Sequence, residues 1–301
     1  MKKIFPILVS SSLILSSLSS TAIAADNSVD NTVSTQQISN NSYTESQLNQ
    51  ILSDAGASQS LLTEIDYEQK LAIVADAGEN LSISSGGSTA YTRNDVTGEL
   101  EPIKPPSPDE FTTLAISRAD LYVNAQHVSS VKNGKTIHKI IGYFRWEESG
   151  RGPKPGPGGV VKDSIGLAVA DGYQIIQDGY SASYSSNTFG INGKYNGWTP
   201  YKTTGLGDNG QPDTSELYGA SWQFRNVTPL ASGITLFKGS VSMSMIKKGG
   251  ASTVNRAIVK YNEANSNALG NFSVSVAFGP ASVTFTPSAG SADNASDDED
   301  W

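Results

Sequence analysis

Two histidines, His127 and His138, are the only imidazole side chains in the sequence. Imidazole nitrogens bind zinc, but a zinc site needs three or four ligands, and the neighbouring sequence adds only Ser129. A hydrolase of the Ser-His-Asp type would need a nucleophilic serine, and no Gly-x-Ser-x-Gly motif marks one. The ligand count therefore favours two polar residues at the open end of a β-sandwich over a metal site.

Five acidic residues lie near the ends of predicted strands, where carboxylates from different strands can converge: Glu147, Glu148, Asp171, Asp178 and Glu216. Two convergent carboxylates are the machinery of glycoside hydrolysis. The chain has 29 acidic residues, however, and most Asp and Glu side chains in proteins are solvated surface charges. The sequence thus predicts no catalytic residue, and a hydrolase that acts through carboxylates is kept as an alternative.

The segment 205–216 carries oxygen ligands of the kind that calcium prefers, with Asp208, Asp213 and Glu216 among glycines. Their spacing lacks the acidic positions of the EF-hand pattern. Asp-Asn-Gly is also ordinary turn chemistry. The sequence therefore leaves calcium as the one candidate cofactor and does not identify the residues that would bind it.

The segment 194–201 combines aromatic and amide side chains in the longest gap between predicted strands. Tyr195, Trp198 and Tyr201 are the predicted ligand-binding residues, because an aromatic face packs against the apolar face of a sugar ring. Asn192 and Asn196 supply both donors and acceptors for sugar hydroxyl groups. The alternative is a loop whose aromatic side chains fold back onto the protein and are buried there.

Asn133-Gly134, between two alternating segments, predicts a β-hairpin over residues 121–146 that positions both histidines. Asn-Gly favours a type I′ turn because both turn residues need positive φ. The predicted register pairs Leu121 with Trp146 and places the histidines diagonally on one face. The predicted core face carries Leu121, Val123, Ala125, Ile140, Phe144 and Trp146, and the predicted solvent or rim face carries Tyr122, Asn124, Gln126, Lys139, Tyr143 and Arg145.

Two short helices are predicted before this hairpin, at 44–56 and at about 66–77. Thr44 with Gln47 and Asp66 with Gln69 have the spacing of a capping box, and apolar residues follow on one helical face. From residue 111 onward the sequence reads as short strands, some alternating with period two as at 240–245 and 272–278, punctuated by Gly and Asn clusters. The predicted fold is therefore all-β: an antiparallel β-sandwich with a small helical N-terminal segment.

The first 24 residues have the pattern of a signal peptide: Lys2 and Lys3, an apolar run, and the small-residue cleavage site Ala22-Ile23-Ala24. A disordered leader is predicted at 25–43, which is polar and poor in apolar residues. The other predicted divisions are a small helical or irregular segment at 44–100, a Pro-rich linker at 101–110, the β-sandwich at 111–290 and an acidic disordered tail at 291–301. The predicted location is extracellular.

The chain has no cysteine, which excludes disulfides and a cysteine-linked lipid anchor, so an ordinary core must stabilise the fold. Its net charge of −8 argues against a nucleic-acid partner. No segment beyond the signal peptide is apolar enough to predict a transmembrane span. Composition therefore argues against a disulfide-stabilised, nucleic-acid-binding or membrane-spanning protein.

The signal peptide, the helical pair, the strand Tyr143-Phe144-Arg145-Trp146 and the closing alternation at 271–279 together resemble uncharacterised secreted proteins of Bacillus-like Gram-positive bacteria. The resemblance implies secretion and carries no residue roles. The expected function is a secreted, non-enzymatic binding protein of the extracellular space or cell envelope, with cell-wall polysaccharide as the expected partner. The alternatives are the carboxylate hydrolase and a membrane-active β-toxin, the latter because 234–246 alternates apolar and small polar residues.

We expect the mature protein to begin at Ala25, because cleavage should follow Ala22-Ile23-Ala24. Intact-mass analysis of protein from the culture supernatant measures this. Ala24→Arg, which places a bulky charge where the site needs a small residue, is the control and should leave uncleaved precursor. A secreted form that keeps residues 1–24 would contradict the prediction.

Overall fold

The computed structural model describes residues 43–84, 86–103, 119–148, 150, 152–153, 161–190, 192–200, 210–226, 235–249, 254–264, 272–277, 282–287 and 292–301. The predicted signal peptide and all but the last residue of the predicted leader lie outside these ranges. The described residues belong to one structural unit.

Three helices come first: α1 (Glu45–Asp54), α2 (Gln59–Glu64) and α3 (Tyr67–Asp76). Thr44 forms the predicted capping box with Gln47, and Asp66 accepts a hydrogen bond from Gln69 N at the start of α3. Both predicted helices are confirmed, whereas α2 was missed because its 6 residues are too few to show a helical period. None of the helices in the described ranges is long and apolar enough to span a membrane.

The rest of the described chain is built from strands. They are β1 (Glu79–Ile83), β2 (Thr89–Arg93), β3 (Leu100–Pro102), β4 (Leu121–Lys132), β5 (Lys135–Trp146), β6 (Val161–Val169), β7 (Tyr173–Thr188), β8 (Thr199–Pro200), β9 (Thr214–Glu216), β10 (Gly219–Asn226), β11 (Thr235–Lys247), β12 (Arg256–Ala264), β13 (Phe272–Ala277), β14 (Ser282–Pro287) and β15 (Ala292–Asp300).

The larger sheet has the strand order β3-β2-β4-β5-β11-β7-β8, and β1 also pairs with β4. The second sheet has the order β15-β12-β6-β10-β9. Strands β13 and β14 pair with each other as a separate two-stranded sheet. Every pairing between described strands is antiparallel. One hydrophobic core draws side chains from both sheets. The predicted antiparallel β-sandwich with a small helical N-terminal segment is therefore confirmed.

The β4–β5 hairpin has the predicted register over its whole length, from the pair Leu121 with Trp146 to the pair Lys132 with Lys135. Its turn residues have positive φ, 53° at Asn133 and 71° at Gly134. All six predicted core-face residues are buried in the core between the sheets. A local turn signal and the period of two are therefore sufficient to predict this part of the fold.

The core between the sheets is aromatic at its centre. The ring centroid of Phe144 lies 5.1 Å from that of Phe224 and 4.6 Å from that of Tyr261. The sheets approach closely beside these rings at Gly142, where a Cβ would lie 2.5 Å from Val259 Cγ2. A Cβ there would force the side chains of Val259 and Leu167 to move, so glycine permits this close approach of the sheets.

The opposite face of the hairpin is also buried, which corrects the predicted solvent or rim face. Tyr143, Gln126 and Asn124 are at most 2% exposed, and only residues near the strand ends, such as Tyr122 and Arg145, keep partial exposure. The three helices cover this face with a second hydrophobic cluster, made up of Leu48, Leu52, Ala57, Leu61, Leu62, Ile65, Ile73, Val74, Ile83, Val128, Ile141 and Tyr143. The prediction was wrong because a polar strand pattern does not reveal an apolar layer supplied by another segment.

The predicted division at 44–100 and 101–110 also needs correction. Strands β1 to β3 belong to the larger sheet, so residues 79–102 are part of the sandwich rather than a segment before it. The proline content of 102–108 suggested a linker, but Pro102 ends β3 at the edge of the sheet, where a missing N–H costs little. Residues 104–118, which include most of the predicted linker, lie outside the described residues.

The predicted disordered acidic tail is wrong for Ala292–Asp300, which forms β15 and pairs with β12 over nine residues. Its acidic side chains meet cations from distant parts of the chain: Asp293 pairs with Arg93 at 3.1 Å, and Asp298 with Arg256 at 2.8 Å. A run of like charges favours disorder only while it has no such partners.

We expect Trp146→Ala and Tyr143→Ala each to lower the free energy of unfolding by about 3–5 kcal/mol, because each removes a fully buried ring from one face of the hairpin. Tyr122→Ala is the matched control, since Tyr122 shares the face of Tyr143 but is only half-buried. Urea unfolding measures all three. Equal losses for Tyr143→Ala and Tyr122→Ala would show that the helices do not seal this face.

Candidate functional site

The predicted ligand-binding loop joins β7 to β8 and is described over 189–200 except for residue 191, so Tyr201 lies outside the described residues. Phe189 and Tyr195 pair across the loop, and their rings meet edge to face with centroids 5.2 Å apart. Gly190 N donates to Lys194 O at 2.7 Å. These contacts make the first half of the loop a tight turn.

Asn187, near the end of β7, positions the second half of the loop. It is fully buried, its Oδ1 accepts from Gly197 N at 2.9 Å, and its Nδ2 donates to Glu148 Oε1 at 2.7 Å. Gly197 has a φ of 94°, which favours glycine. One buried amide therefore fixes the backbone immediately before Trp198.

The two described aromatic residues of the predicted site are half-buried. Trp198 and Tyr195 both pack against the core between the sheets while keeping exposed surface. Lys238 Nζ lies 5.2 Å from the centroid of the Trp198 ring, within cation–π range. Burial, and then the carboxylate of Glu148, raises the pKa of the Tyr195 phenol. Each ring is thus held by packing and still faces solvent in part.

Asn192 and Asn196, the predicted hydroxyl-binding amides, are exposed and converge above Gly190. Both Oδ1 atoms lie 2.8 Å from the position that a Cβ on Gly190 would occupy. Asn192 Oδ1 also accepts from Lys194 N at 3.1 Å. One short loop therefore carries two partly exposed rings and two convergent amides, which is a set of groups suited to a sugar.

The two histidines lie diagonally on the core face of the hairpin, as the register predicts. His127 Nε2 is 2.9 Å from His138 Nδ1, and the His127 ring stacks on Trp301 with centroids 4.2 Å apart. Among the described residues, no cluster of three or more His, Asp or Glu side chains can hold a metal ion. In the described contacts the histidines therefore bind each other and an aromatic ring.

The predicted carboxylates with described contacts have structural partners. Glu147 forms an ion pair with Arg145, and Glu148 bonds Asn187 as described above. Asp171 and Asp178 are exposed, and the side chain of Glu216 is outside the described set. The described contacts thus bring no two of these carboxylates together, and the hydrolase alternative gains no site from them.

A buried ionic cluster around Arg93 was missed by the sequence analysis. Arg93 Nη2 donates to both carboxylate oxygens of Glu263 at 3.0 and 2.9 Å, and Nη1 donates to Asp293 Oδ2 at 3.1 Å. All three side chains are at most 8% exposed. The cluster joins β2, β12 and β15, and Arg93 stands 170 and 200 positions from its two carboxylates, so no local sequence pattern predicts it. Each carboxylate is paired with the same guanidinium by charge-assisted hydrogen bonds, which gives the cluster a structural role.

The predicted calcium loop is described only from residue 210 onward. Asp213 Oδ2 accepts from Gln223 N at 2.6 Å, and burial raises the pKa of the Asp213 carboxyl. The segment 205–209, with Asp208, lies outside the described residues. Calcium binding at this loop stays a prediction.

No protein-family model and no curated protein matches the sequence. Among solved structures, the chain is similar to one described as a pore forming protein, with 8% identity and a TM-score of 0.29 over 60% of this chain and 87% of that chain. It is also similar to ACE19, the collagen binding subdomain of the Enterococcus faecalis surface protein ACE, with 8% identity and a TM-score of 0.24 over 54% of this chain and 86% of that chain. Likeness at these scores carries no argument about the function of this chain.

We expect Asn187→Ala to lower the free energy of unfolding by about 1–3 kcal/mol, because Gly197 N and Glu148 lose a buried partner. Faster amide hydrogen exchange at Gly197 should accompany this loss. Asn192→Ala is the matched control: the same residue type in the same loop, exposed, with an expected change near zero. Similar losses in both variants would mean that Asn187 does not position the loop.

Proposed function

We propose that this chain is an exported, non-enzymatic binding protein that binds a polysaccharide of the cell envelope through Tyr195 and Trp198, with Tyr201 as the third aromatic residue of the site. The fold, an antiparallel β-sandwich with a small helical N-terminal segment, is compatible with a binding role. The export and the ligand rest on the sequence pattern and on the chemistry of the loop.

The observation that carries the proposal is the half-burial of Trp198 and Tyr195. A ring that is packed on one part and exposed on another presents a fixed apolar surface to the solvent. Such a ring loses little conformational freedom when a ligand binds, so more of the contact energy remains as affinity. The buried Asn187 extends this fixed geometry to the backbone at Gly197.

The polar part of the proposed site is supplied by Asn192 and Asn196. Their convergent amides can donate to and accept from neighbouring hydroxyl groups, which a sugar ring offers in fixed directions. Lys238 sets a condition on the binding mode, because its ammonium already lies over the Trp198 ring. A sugar must therefore stack beside Lys238 or displace it, and the ammonium is then a further donor to a hydroxyl group.

The alternation that suggested a toxin is accounted for by the position of β11 in the centre of the larger sheet. Its apolar side chains enter the core. On the other face, the hydroxyls of Ser242 and Ser240 lie 2.7 and 3.1 Å from those of Ser181 and Ser183 on β7. Ordinary packing of an antiparallel sheet therefore explains the pattern.

We expect Trp198→Ala to weaken adsorption to purified cell wall by tenfold or more, which corresponds to a loss of about 1.4 kcal/mol. Tyr122→Ala is the matched control, because Tyr122 is also a half-buried aromatic residue under a cation, with Arg145 Cζ 5.7 Å from its centroid. Asn196→Ala removes one of the two exposed amides and leaves the packing of Trp198 and Tyr195 against the core unchanged. Equilibrium pull-down gives the affinity, and a thermal melt of each variant reports stability.

Unchanged adsorption by a stable Trp198→Ala variant would refute the proposal. Strong destabilisation of Trp198→Ala together with full adsorption by Asn196→Ala would favour the packing role of the loop. Two further measurements on the wild-type protein separate the alternatives: release of soluble sugar from the wall would indicate a hydrolase, and leakage of dye from lipid vesicles would indicate a toxin.

A further inference from the structure

Strand β15 belongs to the second sheet by backbone pairing and contacts the larger sheet through its side chains. Asp297 Oδ2 accepts from Ala125 N of β4 at 2.9 Å. Trp301, next after β15, stacks on His127 of β4. The strand is therefore held at two points by the hairpin on which the fold is built.

The contact at Trp301 is part of a cluster of four rings. The indole and the His127 ring are nearly parallel, with an angle of 8° and centroids 4.2 Å apart. His127 Nε2 lies 2.9 Å from His138 Nδ1. Tyr173 closes the cluster, with its centroid 5.3 Å from that of His138 and 5.7 Å from that of Trp301.

The contact between the imidazoles constrains their protonation. A hydrogen bond between two ring nitrogens needs one donor and one acceptor, so at least one ring must be neutral. Burial, and then repulsion from His138, lowers the pKa of His127 to about 3. Burial, and then the charge of Lys247, lowers the pKa of His138. The folded protein therefore holds neutral imidazoles at neutral pH.

We propose that His127, His138 and Trp301 form an acid-sensitive latch, in which protonation of the histidines releases Trp301 and the adjoining end of β15 while the rest of the sandwich, including the Asp293 end of β15, stays folded. Release would uncover the edge of β12 from Arg256 onward, because Arg256 pairs with Asp300 at the Trp301 end of β15. This device involves neither the aromatic loop nor its ligand, so it is independent of the proposed function.

The other groups that face the histidines either favour or oppose the release of Trp301. Lys247, whose Nζ lies 6.0 Å from the centroid of Tyr173, repels a protonated His138. Tyr173 stays neutral in acid, since burial raises the pKa of its phenol. Trp301 attracts a cationic His127 through its ring face, and this attraction partly opposes release.

Asp297 of β15 titrates in the sense that opposes release. Asp297, Glu299 and Trp301 alternate along one face of the strand, while Asp298 and Asp300 lie near Arg256 on the other. Burial raises the pKa of Asp297, so its protonation at falling pH stabilises the docked strand and opposes the latch. Asp297→Asn removes this opposing titration while its amide oxygen can still accept from Ala125 N.

Proton linkage gives the direction and the size of the change in stability of the docked state with pH. A released histidine has an ordinary pKa near 6.5, whereas docked His127 titrates at about 3, so release takes up a proton between these values. The docked state therefore loses stability as the pH falls below 6.5, and the loss is complete near pH 3. For His127 alone, the opening constant should be roughly 25-fold larger at pH 5 than at pH 7.

Amide hydrogen exchange on the full chain at pH 7 and pH 5 tests the latch, expressed as protection factors, which remove the intrinsic pH dependence of exchange. We expect the amides at the Trp301 end of β15 to lose protection roughly 25-fold at pH 5, while β5 and β6 keep theirs. The double variant His127→Gln/His138→Gln should show no such pH dependence. Arg256→Met is the matched control, since it removes ion pairs of β15 with Asp298 and Asp300 and leaves both histidines in place.

A second measurement uses the wild-type protein, so it does not require any variant to fold. The chain has only two histidines, so two imidazole signals in an NMR titration of the wild-type protein report the latch directly. Both should titrate below pH 6.5, together with the loss of protection in β15. Protection in β15 that is unchanged at pH 5, that falls equally in all strands, or that falls as much in a folded double variant would overturn the proposal.

Discussion

The fold depends on a strand pair that is buried on both of its faces. One face of the β4–β5 hairpin enters the aromatic core, and the other lies under the three helices. A slip of one residue would move Trp146 out of the first core and Tyr143 out of the second, so the two cores and the Asn-Gly turn specify the same register. β11 aligns on β5 and β7 on β11, which carries this register to the aromatic loop.

The features that the sequence predicted are those with a local cause. The turn at Asn133 and Gly134, the period of two in the strands and the capping residues Thr44 and Asp66 each act within a few positions of the chain. They were sufficient for the fold class, the hairpin register and two of the three helices. In the candidate site, the aromatic and amide residue types could be read in the same way, because they lie close together in one loop.

The features that the sequence did not predict come from contacts between distant segments. Arg93 meets Glu263 and Asp293 only because β2, β12 and β15 are brought together by the two sheets. The acidic end of the chain read as disordered because its cations lie elsewhere in the sequence. In the candidate site, the role of Asn187 was equally hidden: it is an ordinary polar residue until burial makes its amide the partner of Gly197 and Glu148.

The acidic composition of β15 has a consequence for how copies of this protein meet. β15 is the last strand on its side of the second sheet among the described strands, and an open sheet edge offers its backbone groups to any other strand. Asp298 and Asp300 are exposed along this edge. A second copy that approached it would bring the same charges, so edge-to-edge association would begin with repulsion between like carboxylates. The carboxylates of β15 thus oppose β-aggregation at this edge of the sheet.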